Sequence, residues 1–301
     1  MFDRLILTED LLDCRGSPIA PRGTVLSGES IAEVARRARA RPRYTLEETD
    51  LAGDAELPLQ DRAYRHLFQG EAVRDTVRRA LLAIRLPDVL WEDLAKVRRS
   101  ASQLHVHAFV TAAVAVRMML AAVSRPRGVP DLAAAALLHD VGMCHLPARI
   151  LRNREGLRRE DATRIASHPL VGAYILAVLL GPHPAVVAAR AHHWRCGQGY
   201  PALDAAPSRS VEVISVASAF AALTQPRPFR EAVYDARGAV DVLVAEAKAG
   251  QADANTVKLL AHALRGGSGD PRAIRFGRER GGHGPEVHRY EHVLPPARSP
   301  V

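Results

Sequence analysis

A histidine and an aspartate, His139 and Asp140, stand directly after the apolar run 131–138, which is typical of a buried helix. An ionised carboxylate beside a hydrophobic core is costly unless it is paired or binds a metal. Other histidines are spread along the chain, at His107, His168, His192 and His193. Because neutral imidazole and carboxylate are common ligands of Zn, Fe, Mn and Ni, we expect these residues to converge on one metal site in a helical bundle.

The composition favours helices and an anionic partner. Of the 301 residues 48% are apolar but only 5% aromatic, and the abundance of Ala, Leu and Val favours helix over strand. The formal net charge of +8 indicates a nucleotide, a nucleic acid or a membrane surface as partner. Arginines scattered along helices also fit a simple solvated basic surface, so the charge alone does not show whether the protein has an anionic partner.

The cysteines and the N-terminus favour a cytoplasmic location. Cys14, Cys144 and Cys196 are far apart and show no CxxC pairing, so no disulfide framework is expected. The N-terminus lacks the apolar core of a signal peptide, and no apolar run reaches the roughly 18 residues of a membrane span. We therefore expect a cytoplasmic chain without a membrane span.

The pattern of the chain predicts three parts. Residues 1–70, with short strands around Gly/Pro turns and a helix near Ser27, suggest a small α+β accessory or regulatory domain. Apolar periodicity predicts a helical domain over 71–264, including separate helices at 158–168 and 169–176 on either side of Pro169. Residues 265–301 lack apolar periodicity and are predicted to be a disordered basic tail.

Only one of the two neighbouring histidines at 105 and 107 is assigned to the metal site. His105 and His107 lie two residues apart, so on a helix they point in different directions and only His107 is assigned to the site. Cys144 and His145 continue away from the His-Asp pair along a loop and are not assigned as ligands.

Residues from about 100 to 264 resemble the HD-GYP subgroup of HD-domain metal-dependent phosphohydrolases. The resemblance rests on motifs in the family's order: His107 on a long helix, His139-Asp140-Val141-Gly142, the segment 146–151, His168-Pro169-Leu170-Val171-Gly172, His192-His193, Gly197-Gln198-Gly199-Tyr200-Pro201 and the segment 222–230. The segment 21–26 also looks like the small leader domain that precedes many such proteins.

The resemblance implies a helical HD-domain bundle that hydrolyses the bacterial second messenger cyclic di-GMP or a related nucleotide. It implies one or two divalent metal ions, most often iron or manganese, with His139 and Asp140 as catalytic residues. One ion would be held by His107, His139 and Asp140. The other would be held by Asp140, His168, His192 and His193, so that Asp140 bridges the two. Substrate contacts are implied for Arg227, Arg230, Gly199, Tyr200 and Pro201.

Three positions depart from the family's pattern. Ser218 stands where the family has an aspartate ligand of the first metal, and a hydroxyl is a much poorer ligand than a carboxylate. Met143 replaces a lysine near the phosphate, and Gln103 occupies the place of the acidic ligand found in three-metal members. Together these departures predict an impaired metal site.

Two main functions remain open. The first is an HD-GYP-type phosphodiesterase with a weakened metal site. The second is a degenerate, non-catalytic module that binds a nucleotide or a signalling-protein partner; the fold is the same in both, so fold cannot decide. Nucleic-acid binding is suggested only by the charge and the tail and is not favoured, because no aromatic stacking platform or recognition helix is visible.

Overall fold

The N-terminal strands form two small antiparallel ladders. The structure, a computed structural model, describes residues 5–6, 11–12, 18–26, 51–123, 128–152, 158–203, 205–226, 232–277 and 281–285. β1 (Leu5–Ile6) pairs with β4 (Val25–Leu26), and β2 (Leu11–Leu12) pairs with β3 (Pro18–Ala20). The helix predicted near Ser27 lies outside the described residues, so the α+β N-terminal domain stays a prediction.

The rest of the described chain is helical, as the composition predicts. Its α-helices are α1 (Leu51–Gln60), α2 (Glu71–Leu82), α3 (Asp88–Ser100), α4 (Ser102–Ala122), α5 (Val129–Leu137), α6 (Ala148–Leu151), α7 (Arg159–Leu180), α8 (Pro184–Ala191), α9 (Arg209–Thr224), α10 (Ala236–Lys248) and α11 (Ala254–Leu264). Short 3-10 turns occur at Arg62–Tyr64, Val141–His145, Arg195–Gly197 and Pro271–Ala273. The predicted mainly helical bundle is therefore confirmed.

Helix α4 is the centre of the bundle. Its residues 107–118 are buried, and a helix that is apolar on all sides is stable only when neighbours cover it. It packs against α5 and α9 and also contacts α1 and α3. As a result His107 on α4, His139 at the end of α5 and Ser218 on α9 meet inside the bundle.

Two helices, Ser102–Ala122 and Glu160–Leu180 in α7, are long and apolar enough to cross a membrane by length and composition. The apolar window of the first is 78% buried within the protein, and core helices of soluble proteins pass the same test. This is weak evidence for a membrane span, and the expected absence of one stays a prediction.

Helix α7 continues through Pro169, so the prediction of two separate helices at this place is wrong. Proline has no N–H, which leaves the carbonyl of Ile165 without its helical donor. The Nδ1 of His168 donates to that carbonyl over 2.6 Å. A side chain thus supplies the missing bond, and the helix does not need to end.

Residues 51–68 share the core of the later helices. Ala55, Leu59, Tyr64, Leu67 and Phe68 are buried in the same apolar cluster as α4 and α9. The hydroxyl of Tyr64 also lies 3.0 Å from the hydroxyl of Thr224 at the end of α9. Residues 51–68 therefore pack with the later helices, whereas the sequence pattern assigns them to the N-terminal domain; the domain division stays a prediction.

The chain after α11 returns to the bundle. The N–H of Asp235 donates to the carbonyl of His283 over 3.0 Å, and the carboxylate of Asp241 accepts from the N–H groups of Gly281 and Gly282. Residues 265–277 and 281–285 thus have defined contacts, although the sequence pattern predicts a disordered tail from residue 265. Residues from 286 onward lie outside the described part.

Candidate metal centre

Asp140 lies between two pairs of imidazoles, where α5 gives way to the turn Val141–His145. Its Oδ1 is 3.1 Å from Nε2 of His168 and 3.2 Å from Nε2 of His192. Its Oδ2 is 3.4 Å from Nε2 of His139 and 3.7 Å from Nε2 of His107. Each carboxylate oxygen thus faces one pair, an arrangement suited to a carboxylate that bridges two cations.

The six residues predicted as ligands form two overlapping groups. In each group the potential ligand atoms lie within 4.8 Å of one another. The first group, called site A here, contains His107, His139 and Asp140. The second, called site B, contains Asp140, His168, His192 and His193. Residues far apart in the sequence therefore lie together, in line with the hypothesis of one shared site.

Backbone carbonyls that lack a helical donor hold three of these imidazoles in place. The Nδ1 atoms of His139, His168 and His192 lie 2.7, 2.6 and 3.0 Å from backbone carbonyl oxygens three residues earlier. Their acceptors are Ala136, Ile165 and Ala189. Ala136 and Ala189 lie within two residues of the ends of α5 and α8, so no helical N–H reaches their carbonyls. The carbonyl of Ile165 also lacks its helical donor, because Pro169 has no N–H. The side chains satisfy these carbonyls.

This bonding fixes the tautomer of each ring. A carbonyl oxygen only accepts, so Nδ1 carries the hydrogen and Nε2 keeps a lone pair directed at Asp140. The Nδ1 of His107 lies 3.2 Å from Oε1 of the buried Gln225 and is held in the same way. Ligating histidines in metalloproteins commonly donate their second ring nitrogen to such an oxygen.

The resulting cluster fits a divalent metal. The Nε2 atoms of His168 and His192 lie 3.2 Å apart, and both face Oδ1 of Asp140. Lone pairs placed this closely repel one another unless a cation, either a proton or a metal, lies among them. Imidazole nitrogens around a shared carboxylate are a suitable donor set for iron, manganese or zinc.

The protonation states also suit metal binding. Burial lowers the pKa of His139 to about 4, and burial together with the neighbouring His192 lowers the pKa of His193 well below its usual range. Burial opposes ionisation of Asp140, but the adjacent imidazoles, His139 foremost, lower the pKa of Asp140 well below its usual range. Neutral imidazoles and an ionised carboxylate are the forms that coordinate metals.

Ser218 places a hydroxyl at site A. Its Oγ lies 3.2 Å from Nε2 of His139 and 3.3 Å from Nε2 of His107. A hydroxyl has one hydrogen and can donate it to only one of these nitrogens at a time. Among the described residues, site A has Asp140 as its single carboxylate, and it shares that carboxylate with site B.

The Gly-rich loop after His193 folds back onto the histidine doublet. The ring of Tyr200 stacks on the ring of His193 with centroids 4.6 Å apart. A Cβ on Gly199 would lie 1.5 Å from the carbonyl oxygen of His193, so only glycine allows this approach. Gly199, Tyr200 and Pro201 are thereby placed beside site B, and their contact with substrate stays a prediction.

The other predicted residues lie elsewhere. Arg227 and Arg230 are outside the described residues. Met143 is partly buried against the core, and the amide of Gln103 donates to the carbonyl of Leu151 over 3.2 Å.

Sequence reasoning missed Gln225, which orients His107. Its only signal was its place in the motif segment 222–230. His105 lies 3.0 Å from the carboxylate of the buried Asp54, away from the cluster, in keeping with its spacing from His107.

A family model described as HD domain matches residues 82–256, more than half of the chain. A curated relative, the 3'3'-cGAMP-specific phosphodiesterase 1 of Vibrio cholerae serotype O1, is 37% identical over 101 residues, which are 31% of this chain and 22% of that protein. The aligned part therefore spans about a fifth of the length of that relative.

Solved structures of the HD domain of the L. monocytogenes phosphodiesterase PgpH also resemble the chain. The complex with cyclic-di-AMP is 17% identical with a TM-score of 0.43 and covers 58% of this chain and 94% of that one. The second structure of the same domain has a TM-score of 0.42 at 17% identity and covers 58% and 95% of the two chains. By the extent of the family match, this chain belongs to the HD domain family.

Proposed function

We propose that this protein is a metal-dependent phosphodiesterase of the HD-GYP type that hydrolyses cyclic di-GMP or a related cyclic dinucleotide. The observation that carries the proposal is the position of Asp140 among four Nε2 atoms, which offers two adjoining metal sites. The substrate class is supported by the Vibrio cholerae relative, whose name assigns it a cyclic dinucleotide.

The residues of the chain would hold the ions and the substrate. Bound iron or manganese supplies stabilisation of charge on phosphoryl oxygens and a water of lowered pKa. Asp140 would contribute one oxygen to each site, and the backbone carbonyls of Ala136, Ile165 and Ala189 keep three of the imidazoles aimed at it. Tyr200 beside site B and the arginines Arg227 and Arg230 would bind the substrate, since the guanidinium fork suits phosphate.

The two sites should differ in affinity. Site B has three imidazoles and a carboxylate, whereas site A has two imidazoles, the shared carboxylate and the hydroxyl of Ser218. We expect site B to fill first and site A to need a higher metal concentration. This asymmetry also favours the second candidate function, a degenerate module that binds a nucleotide or a signalling protein without turnover.

The test is metal analysis combined with an activity assay on the purified full chain, under reducing conditions with added iron or manganese. If the protein is a phosphodiesterase, we expect bound metal and turnover of cyclic di-GMP or 3'3'-cGAMP. His139→Ala should abolish this turnover. His66→Ala, which changes an exposed histidine far along the chain from these motifs, is the matched control and should keep activity. Nucleotide binding at one metal or none, without turnover of either compound, would instead establish the degenerate module.

A further inference from the structure

A cleft opens beside the metal centre. Its cavity volume is about 100 Å³, and its lining includes His192, His193 and Ser218. Glu212 and Asp253 belong to the same lining. Glu212 lies six residues before Ser218 on α9, which is about 9 Å along a helix axis. A ligand whose phosphate reaches the metal centre can therefore extend towards these two carboxylates.

Arg209 pairs with both carboxylates and is not part of the cleft lining. Its Nη1 lies 2.9 Å from Oε2 of Glu212 and 2.6 Å from Oδ1 of Asp253. Thr256 donates to the same Oδ1 through its N–H and its hydroxyl. In the part of the chain that the structure describes, Oε1 of Glu212 and Oδ2 of Asp253 accept no hydrogen bond.

The charges of the cleft select the kind of group that can enter. A third lining carboxylate, Glu246, is paired with Arg195 at 2.9 Å. Two carboxylate oxygens without donors disfavour a second phosphate here and favour a group rich in N–H donors. Burial and the adjacent Asp253 raise the pKa of Glu212, so a donor to its carboxylate would relieve an unfavourable charge.

Gln251 adds a complementary donor to the same cleft. Its amide oxygen accepts from Arg195 at 3.2 Å. Its NH₂ group makes no bond to another described residue, so it can donate to a carbonyl oxygen of a ligand.

We propose that Glu212 and Asp253 form a base-recognition subsite that selects guanine over adenine in the cyclic dinucleotide; this inference depends on the phosphodiesterase function proposed above. The pairing edge of guanine presents two adjacent donors, N1–H and the N2 amino group, which a carboxylate accepts together. Its O6 carbonyl can accept from Gln251. Adenine instead places the acceptor N1 beside its amino group, and this acceptor is repelled by a carboxylate.

The subsite can be tested with and without turnover. We would measure binding of GMP and AMP to the full chain by calorimetry, and kcat/KM for cyclic di-GMP and cyclic di-AMP. The wild-type chain should prefer the guanine compound roughly ten-fold, as expected for one bidentate contact to a base. Glu212→Gln and Asp253→Asn should each reduce this preference, whereas Glu160→Gln, which changes an exposed carboxylate on α7, should keep it.

The outcomes separate the two proposals. Equal binding of GMP and AMP to the wild-type chain, or a guanine preference that survives both substitutions in folded variants, would overturn the subsite. Guanine preference in binding that these substitutions remove supports the subsite even if neither cyclic dinucleotide is hydrolysed, in which case only the phosphodiesterase function fails.

Discussion

One carboxylate, Asp140, organises the metal centre because each of its oxygens faces a different pair of imidazoles. The sequence predicts that these residues form a metal site, because imidazole and carboxylate are common metal ligands and because the motifs resemble those of the HD-GYP family. It could not show which atom of Asp140 faces which ring. The sequence does not single out Glu212 and Asp253, because a lone acid on or just before a helix resembles an ordinary solvated residue until folding places both in one cleft.

The first prediction concerns Ser218. Ser218→Asp should strengthen metal binding at site A by roughly ten-fold or more, because a carboxylate would replace a weak hydroxyl ligand next to His107 and His139. Equilibrium dialysis followed by metal analysis should show more metal per chain in the variant at limiting metal concentration.

Ser215→Asp provides the control, since it adds the same charge about one turn earlier on α9. Its metal content should equal that of the wild-type chain. If Ser218→Asp folds and binds no more metal than the wild-type chain, the assignment of site A is incorrect.

The second prediction concerns pH. The pKa of His139 is about 4 in the fold against 6.5 in the unfolded chain, so between these values the unfolded state binds the extra proton. Stability of the metal-free chain should therefore fall as pH falls from about 6.5 towards 4, by on the order of 3 kcal/mol from this residue. Urea denaturation of chelator-treated protein at several pH values measures it.

His139→Asn removes this titration and should flatten the decrease. If the free energy of unfolding depends on pH equally in the wild-type chain and in His139→Asn, folding does not lower the pKa of His139. Metal affinity should decline over the same range, because protons compete for Nε2.

At the scale of elements, the site combines the interiors of α4, α7 and α9 with the turn after α5 and the residues that follow α8. Apolar periodicity predicts α2, α3 and α4 nearly as observed, because each shows a continuous apolar face. It fails at Pro169, since the bond from His168 that keeps α7 continuous does not appear in any hydrophobic pattern. The turn Val141–His145 then packs on α7 through two glycines, Gly142 and Gly172.

The third prediction tests this contact. A Cβ on Gly142 would lie 2.1 Å from the carbonyl oxygen of His168 and 2.8 Å from the backbone nitrogen of Gly172. Because backbone must move to make room, Gly142→Ala should destabilise the fold by about 1–3 kcal/mol and weaken metal binding at site B. Thermal denaturation and metal titration measure the two effects.

Gly281→Ala is the matched control, because the nearest atom to its new Cβ lies 3.9 Å away on a flexible arginine. It should change neither quantity. Unchanged stability and metal affinity in Gly142→Ala would mean that the turn and α7 do not pack this closely.

At the scale of the molecule, the helical unit includes chain that the sequence pattern assigned to an N-terminal domain. The segment 51–68 lacks a strong periodic face, so its membership in the core became visible only through contacts such as Tyr64 with Thr224. The helical HD fold itself was predictable, because several spaced motifs identify it together.

The fourth prediction follows from this packing. A chain of residues 51–301 should unfold cooperatively with a midpoint close to that of the full chain. A chain of residues 71–301 loses Ala55, Leu59, Tyr64, Leu67 and Phe68 from the core and should be strongly destabilised or fail to fold. Circular dichroism during heating distinguishes the two, and equal midpoints would favour a boundary at residue 70.

The backbone carbonyls that aim His139, His168 and His192 have a further consequence. Every residue type carries a carbonyl, so replacing Ala136, Ile165 or Ala189 changes a side chain without removing the acceptor. The aim of these three rings is therefore robust to mutation at the very positions that provide it. A substitution elsewhere in the site, at position 218 for example, therefore leaves the orientation of these rings unchanged.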